Sequence, residues 1–250
     1  MPVHTLSRAG DLGPLLKRYA PELVFVSGWY WIIPEALLSL PHLSFVGFHF
    51  SLLPQYRGCA PVVWAMINGE KECGLSLFRF DAGVDSGPIY IQDTVKILDH
   101  DYINDVLDKL ENKSLQIISD NFLDILKDKA TVTPQKEEGK TYAAPRLPED
   151  GQIDWKWPQK RIYNFIRAQG KPYPGAYAML GDKKMYVWRA YPENDIYFAT
   201  PGQVIAFKNG MALVACGDNK ALWLQDVEVE GEQHRSPKEA LKSIKNRLSK

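Results

Sequence analysis

Long apolar runs are missing from this chain of 250 residues, and none approaches the roughly 20 residues a membrane helix needs. The first residues also lack the basic-then-apolar pattern of a secretory leader. The expectation is a soluble, cytoplasmic protein with no membrane partner. Cysteine is scarce, and Cys59, Cys73 and Cys216 stand far apart with no CxxC and no His at ligand spacing. That argues against a zinc site and a disulfide framework, so no metal is expected and all three thiols read as reduced and buried.

An overall excess of one charge is missing as well. The 30 Lys and Arg balance 30 Asp and Glu, which argues against the broad basic surface of a polyanion binder. The balance is uneven along the chain: residues 1–145 carry 13 basic and 18 acidic side chains, residues 146–250 carry 17 and 12. Most of the basic excess lies in the tail, where six cations from Arg235 to Lys250 face only Glu239. A solvated helical face explains such a run more often than a docking surface does.

Helix and strand patterns alternate from the start. Residues 12–19, 34–40, 61–68 and 101–127 read as helices, and 22–27, 43–48, 75–80 and 88–95 as short apolar strands. This order predicts a Rossmann-like, mainly parallel α/β sheet, with active residues at the carboxyl ends of its strands. Residues 131–150 are polar and aperiodic, and Lys136–Lys140 reads as part of a linker. Beyond a helix near 158–167, five strand-like runs at 175–180, 184–190, 202–207, 211–216 and 221–228 predict a small OB-like β-barrel closed by a final helix. The expected domains are 1–147 and 148–250.

Two segments carry the chemistry. Phe48 to Gly58 reads Phe-His-Phe-Ser-Leu-Leu-Pro-Gln-Tyr-Arg-Gly, and Asp81 to Gly87 reads Asp-Ala-Gly-Val-Asp-Ser-Gly. Each follows a predicted strand, so both are expected at one sheet edge. An Asp beside His49 would orient the imidazole and favour its charged form, which suits proton movement during attack on a carbonyl. A backbone-satisfied His at a strand end is the plainer alternative. Ser51 lacks the G-x-S-x-G setting of a nucleophile and reads as a turn residue, and Cys59 reads as a packed small residue. Arg57 is a candidate for an acceptor phosphate or carboxylate, with a structural ion pair as its alternative.

Together these segments resemble the folate-dependent formyltransferase family, whose signature is Asn-x-His, then Ser-Leu-Leu-Pro-x-x-Arg-Gly, then Asp-x-Gly-x-Asp-x-Gly. The resemblance implies transfer of a formyl group from 10-formyltetrahydrofolate to a primary amine, with His49 and Asp85 catalytic. It implies folate contacts from the strand-end loop Ser27–Pro34, through Trp29, Tyr30, Ile32 and Ile33, and from Asp81, Gly83 and Val84. Ser51 and Arg57 fall on the acceptor side. Residues 150–155, 162–168 and 172–176 resemble the start of the C-terminal barrel of methionyl-tRNA and amino-sugar formyltransferases.

Two departures stand out. Gly47 occupies the Asn position, whose amide helps bind the formyl oxygen, and losing one such donor typically costs ~10²- to 10³-fold in rate. Family members also ordinarily begin about two βα units before the segment resembling Met1–Leu6, so a shortened sheet is implied. The expected acceptor is a nucleotide-linked amino sugar, and a homodimer is compatible with the resemblance. Initiator-tRNA formylation, hydrolysis of the folate donor prompted by Gly47, and a non-catalytic binding remnant are the alternatives.

Overall fold

A computed structural model describes residues 2–29, 31–232 and 236–249. In chain order the main elements are α1 (Leu12–Tyr19), β1 (Leu23–Val26), α2 (Glu35–Leu38), β2 (Ser44–His49), β3 (Arg57–Gly58), α3 (Pro61–Asn68), β4 (Glu72–Arg79), β5 (Ile89–Lys96), α4 (Ile103–Leu126) and β6 (Tyr142–Ala143). They continue with α5 (Gln159–Ala168), β7 (Ala176–Leu180), β8 (Lys183–Glu193), β9 (Val204–Lys208), β10 (Met211–Ala215), β11 (Ala221–Val229) and α6 (Pro237–Leu241). The chain divides into two compact units. One comprises residues 1–61, 72–96 and 107–145, the other 62–71, 97–106 and 146–250.

The first unit is built on a sheet of order β1-β2-β4-β5. Its α/β class agrees with the sequence pattern, but the sheet is mixed. Among the described strands β1 and β2 run parallel, whereas β2–β4 and β4–β5 are antiparallel. The reason is local: no helix separates β4 from β5, and the turn from Phe80 to Pro88 is shorter than the dozen or more residues a parallel crossover requires. The two central strands bury Phe45, Val46, Leu75, Leu77 and Phe78 almost completely. Runs of this kind, buried on both faces, explain why they read as continuous apolar segments.

On one face of the sheet Phe45 of β2 clusters with Leu16 and Ile33, and Val24, Val26, Trp29, Leu37 and Phe80 pack around them. Gly47 sits in the middle of β2, paired with Val26 on one side and Phe78 on the other. A Cβ added there would lie 2.6 Å from the Val26 carbonyl oxygen and 3.0 Å from the Phe80 ring. Strand β1 therefore approaches so closely that only glycine fits.

The second unit carries one five-stranded antiparallel sheet, β7-β8-β11-β10-β9, matching all five predicted strands. Its outermost strands are not paired with each other; instead the tail reaches both. Ser249 exchanges backbone hydrogen bonds with Met179 of β7, at 3.0 and 3.1 Å, and Val204 of β9 donates to the Asn246 carbonyl at 3.2 Å. The expected closing helix is thus only the single turn α6, capped by reciprocal Ser236–Glu239 bonds. Helix continuation loses to the sheet edges, whose open N–H and C=O groups the tail satisfies while burying Leu248 to 1 % exposure.

Candidate active site

The last residue of β2 is His49, and its side chain is 9 % exposed. Nε2 lies 2.7 Å from the Tyr56 carbonyl oxygen. A carbonyl only accepts, so Nε2 is the donor and carries a proton. Nδ1 lies 3.6 Å from Asp85 Oδ2, an ion-pair distance beyond hydrogen-bond range. Nδ1 is therefore the ring nitrogen whose hydrogen-bonding capacity stays open toward the acid.

The Asp85 oxygen that faces His49 is also held by the backbone. Its Oδ2 accepts the Gly58 backbone N–H at 2.8 Å. The residue holds a left-handed φ of 47°, as Tyr56 does at 55°, so both halves of the site present unusual backbone. Asp81 shapes the same loop, accepting from Gly83 N–H at 3.0 Å and from the Ser86 hydroxyl at 2.8 Å. Gly87 closes it: a Cβ there would fall 1.8 Å from the Arg79 carbonyl oxygen.

How His49 and Asp85 meet differs from the sequence expectation. Register sets His49 opposite Ser76 and Val46 opposite Arg79, so β4 ends beside the start of β2. The two carboxyl strand ends do not lie side by side. Asp85 reaches His49 because the segment after β4 turns back over the sheet, pinned where Arg79 N–H donates to Pro88 O at 2.9 Å.

The remaining expected residues separate into groups. Ser51 is 3 % exposed and its hydroxyl donates to Gln55 O at 2.6 Å, so its oxygen is engaged in the turn. Arg57 is 2 % exposed; Nε and one terminal nitrogen donate to Gln135 Oε1 at 3.1 and 2.7 Å, and Glu137 pairs with the other at 3.5 Å. The guanidinium thus faces the chain's own Gln135 and Glu137. Trp29 and Ile33 pack in the core, while Trp31 and Ile32 are exposed, as is Val84. Tyr30 lies outside the described residues.

Sequence reading missed the groups that hold the pair: the Tyr56 carbonyl, the Gly58 N–H and the Gln135 amide. Backbone groups leave no residue-type signal, and Gln135 lies in a stretch without periodicity. Cys59 is exposed rather than buried, whereas burial pushes the Cys73 and Cys216 thiols up to about 12.

A mixed α/β sheet thus carries a His–Asp pair at the end of a central strand, and an antiparallel β unit follows it in the chain. The chain belongs to the formyl transferase family: residues 6–121 match the family's formyl transferase domain and residues 147–245 its C-terminal domain. It is similar to methionyl-tRNA formyltransferase of Caldanaerobacter subterraneus subsp. tengcongensis, 36 % identical over 226 residues that make up 90 % of this chain and 72 % of that one. In fold it resembles a variant of HypX from Aquifex aeolicus, with a TM-score of 0.73 and 18 % identity, across 97 % of this chain and 43 % of HypX. It also resembles the N-formyltransferase from Helicobacter canadensis in complex with folinic acid and dTDP-3-aminofucose, with a TM-score of 0.65 and 20 % identity, across 83 % and 76 % of the two chains.

Proposed function

We propose that this enzyme moves a formyl group from 10-formyltetrahydrofolate to the primary amine of an aminoacylated initiator tRNA, with His49 and Asp85 as its catalytic residues. The observation that carries the chemistry is the open Nδ1 of His49 facing Asp85 while Nε2 is held by Tyr56 O. The acceptor reading rests on the 36 % identity to a methionyl-tRNA formyltransferase and on the basic excess of residues 146–250.

Bound 10-formyltetrahydrofolate supplies the formyl carbon, which gains a bond to the acceptor nitrogen and loses its bond to N10. Neutral His49 takes the proton leaving the acceptor amine on Nδ1 and returns it to N10, so tetrahydrofolate and the formamide are the products. Asp85 stabilises the imidazolium that exists between those two transfers. Gly58 N–H keeps the carboxylate aimed. Ile32 and Val84, exposed to 78 % and 49 %, are the members of the expected folate set that present apolar surface, and Trp31, outside that set, adds a ring that is 45 % exposed; we assign the pterin to these three.

A sugar-nucleotide amine is the second reading, favoured by the zero net charge of the chain. The experiment is loss of 10-formyltetrahydrofolate, followed by absorbance, with methionylated initiator tRNA, with an amino-sugar nucleotide and with neither. Turnover only with tRNA is expected. Turnover only with the sugar nucleotide transfers the reading to that acceptor, and equal rates without either amine would make the enzyme a hydrolase.

A further inference from the structure

The stretch that reads as a linker is instead stitched to both halves of the site. Thr133 and Ile89 exchange backbone hydrogen bonds, both at 2.8 Å. Thr141 Oγ1 accepts the Tyr56 N–H at 2.8 Å, Arg57 N–H donates to Thr141 O at 2.9 Å, and Cys59 N–H donates to Ala143 O at 2.8 Å. These contacts hold the loop whose Tyr56 carbonyl accepts from His49.

Gln135 binds the other loop. Its Nε2 donates to Asp85 O at 2.8 Å and to Gly87 O at 2.7 Å, using both amide hydrogens. Its Oε1 accepts twice from buried Arg57, at 2.7 and 3.1 Å. One side chain thus connects the backbone on either side of Ser86 to the guanidinium next to Gly58, the residue whose N–H holds the Asp85 carboxylate.

We propose that Gln135 is the positioning residue of this enzyme, setting the Asp85 carboxylate against His49 by tying the Asp85–Gly87 backbone to Arg57. Its catalytic consequence rests on the formyl-transfer reading above; its structural consequence does not. The left-handed φ of Asp85 is uncommon for a non-glycine residue, although Asp adopts it more readily than most, and the Gln135 amide supplies two hydrogen bonds that hold the loop in it. Displacement of a reacting group by about 1 Å can cost on the order of 10²-fold in rate, which makes such a restraint consequential.

The test compares the 250-residue chain with its Gln135→Ala and Gln135→Glu variants. The Glu variant keeps an acceptor for Arg57 but lacks both hydrogens for Asp85 O and Gly87 O, so it separates the two ends of the clamp. By hydrogen exchange, the Gly58 amide is expected to exchange at least about tenfold faster in both variants, with the Cys59 amide within about twofold of the parent. In turnover, kcat is expected to fall at least about tenfold with KM for 10-formyltetrahydrofolate within about twofold. Gln135→Ala is further expected to cost nothing in an Asp85→Asn background.

An unchanged Gly58 amide in both variants would overturn the proposal, whatever the turnover. So would an equal loss from Gln135→Ala with and without Asp85, the signature of a merely structural role. If the parent turns over no donor under any condition, the formyl-transfer reading fails, while Gly58 exchange still decides whether Gln135 holds Asp85.

Discussion

The Nε2 atom of His49 sits 2.7 Å from the carbonyl oxygen of Tyr56, a contact that assigns the ring's tautomer. It leaves Nδ1 facing Asp85, and it makes a backbone carbonyl, not the carboxylate, the group that fixes ring orientation. In the neutral ring, 15N NMR is expected to assign the protonated, pyrrole-type signal of His49 to Nε2 and the pyridine-type signal to Nδ1. The reverse assignment would contradict the proton path through Nδ1.

Gly47→Ala is expected to destabilise the first unit. Its Cβ would meet the Val26 carbonyl oxygen at 2.6 Å, a backbone atom that cannot rotate away. Overpacking of this kind costs about 1–3 kcal/mol, to be read from the midpoint of urea unfolding. Gly47→Asn meets the same obstacle, so it is not expected to gain stability or rate.

Thiol chemistry distinguishes Cys59 from the other two. Cys59 is exposed, whereas Cys73 and Cys216 are buried with their ionisation pushed up to about 12 by desolvation. The thiolate is the reacting species, so a native chain is expected to react with a thiol reagent at Cys59 alone and an unfolded chain at all three. Rapid native modification of Cys73 would show that the sheet opens.

In the second unit, hydrogen bonds from Lys71 and Lys160, at 3.0 and 3.1 Å, hold the Asp99 carboxyl down at about 2. Because the folded-state value lies below that of the unfolded chain, the associated stability is present above about pH 4 and disappears as pH falls toward 2. All three groups are solvent-exposed, so the contribution is small and screened by salt. In Lys71→Met, the NMR titration midpoint of Asp99 is expected to rise; an unchanged midpoint would remove Lys71 as a cause.

Much of the fold was legible because the residues themselves encode it. Pro61 starts α3 where a proline-first helix was expected, and the strands of the β unit follow alternating runs broken at Gly181-Asp182 and Asn209-Gly210. Strand direction was not legible, since the apolar run of β4 reads the same whether it lies parallel or antiparallel to β2. The tail misled for a related reason: spacing of its lysines suits a helix, but the edges of β7 and β9 offer backbone partners that no local pattern reveals.

At the site, His49 and Asp85 were recognisable by type and setting, and they do come together. What positions them was not recognisable. A carbonyl oxygen at Tyr56 and an amide hydrogen at Gly58 exist at almost every residue, and only folding selects those two. Gln135 lies 50 residues from Asp85 in sequence, in a stretch where polarity suggested a linker.

The most direct measurement is the rate of 10-formyltetrahydrofolate loss with the productive acceptor for the parent chain, His49→Ala and Asp85→Asn, alongside circular dichroism of each. Loss of the proton-carrying imidazole, or of the carboxylate that stabilises its charged form, is expected to lower kcat by on the order of 10²- to 10⁴-fold, with parent-like spectra. Parent-like rates in either variant would contradict the assignment of formyl transfer to the His49–Asp85 pair.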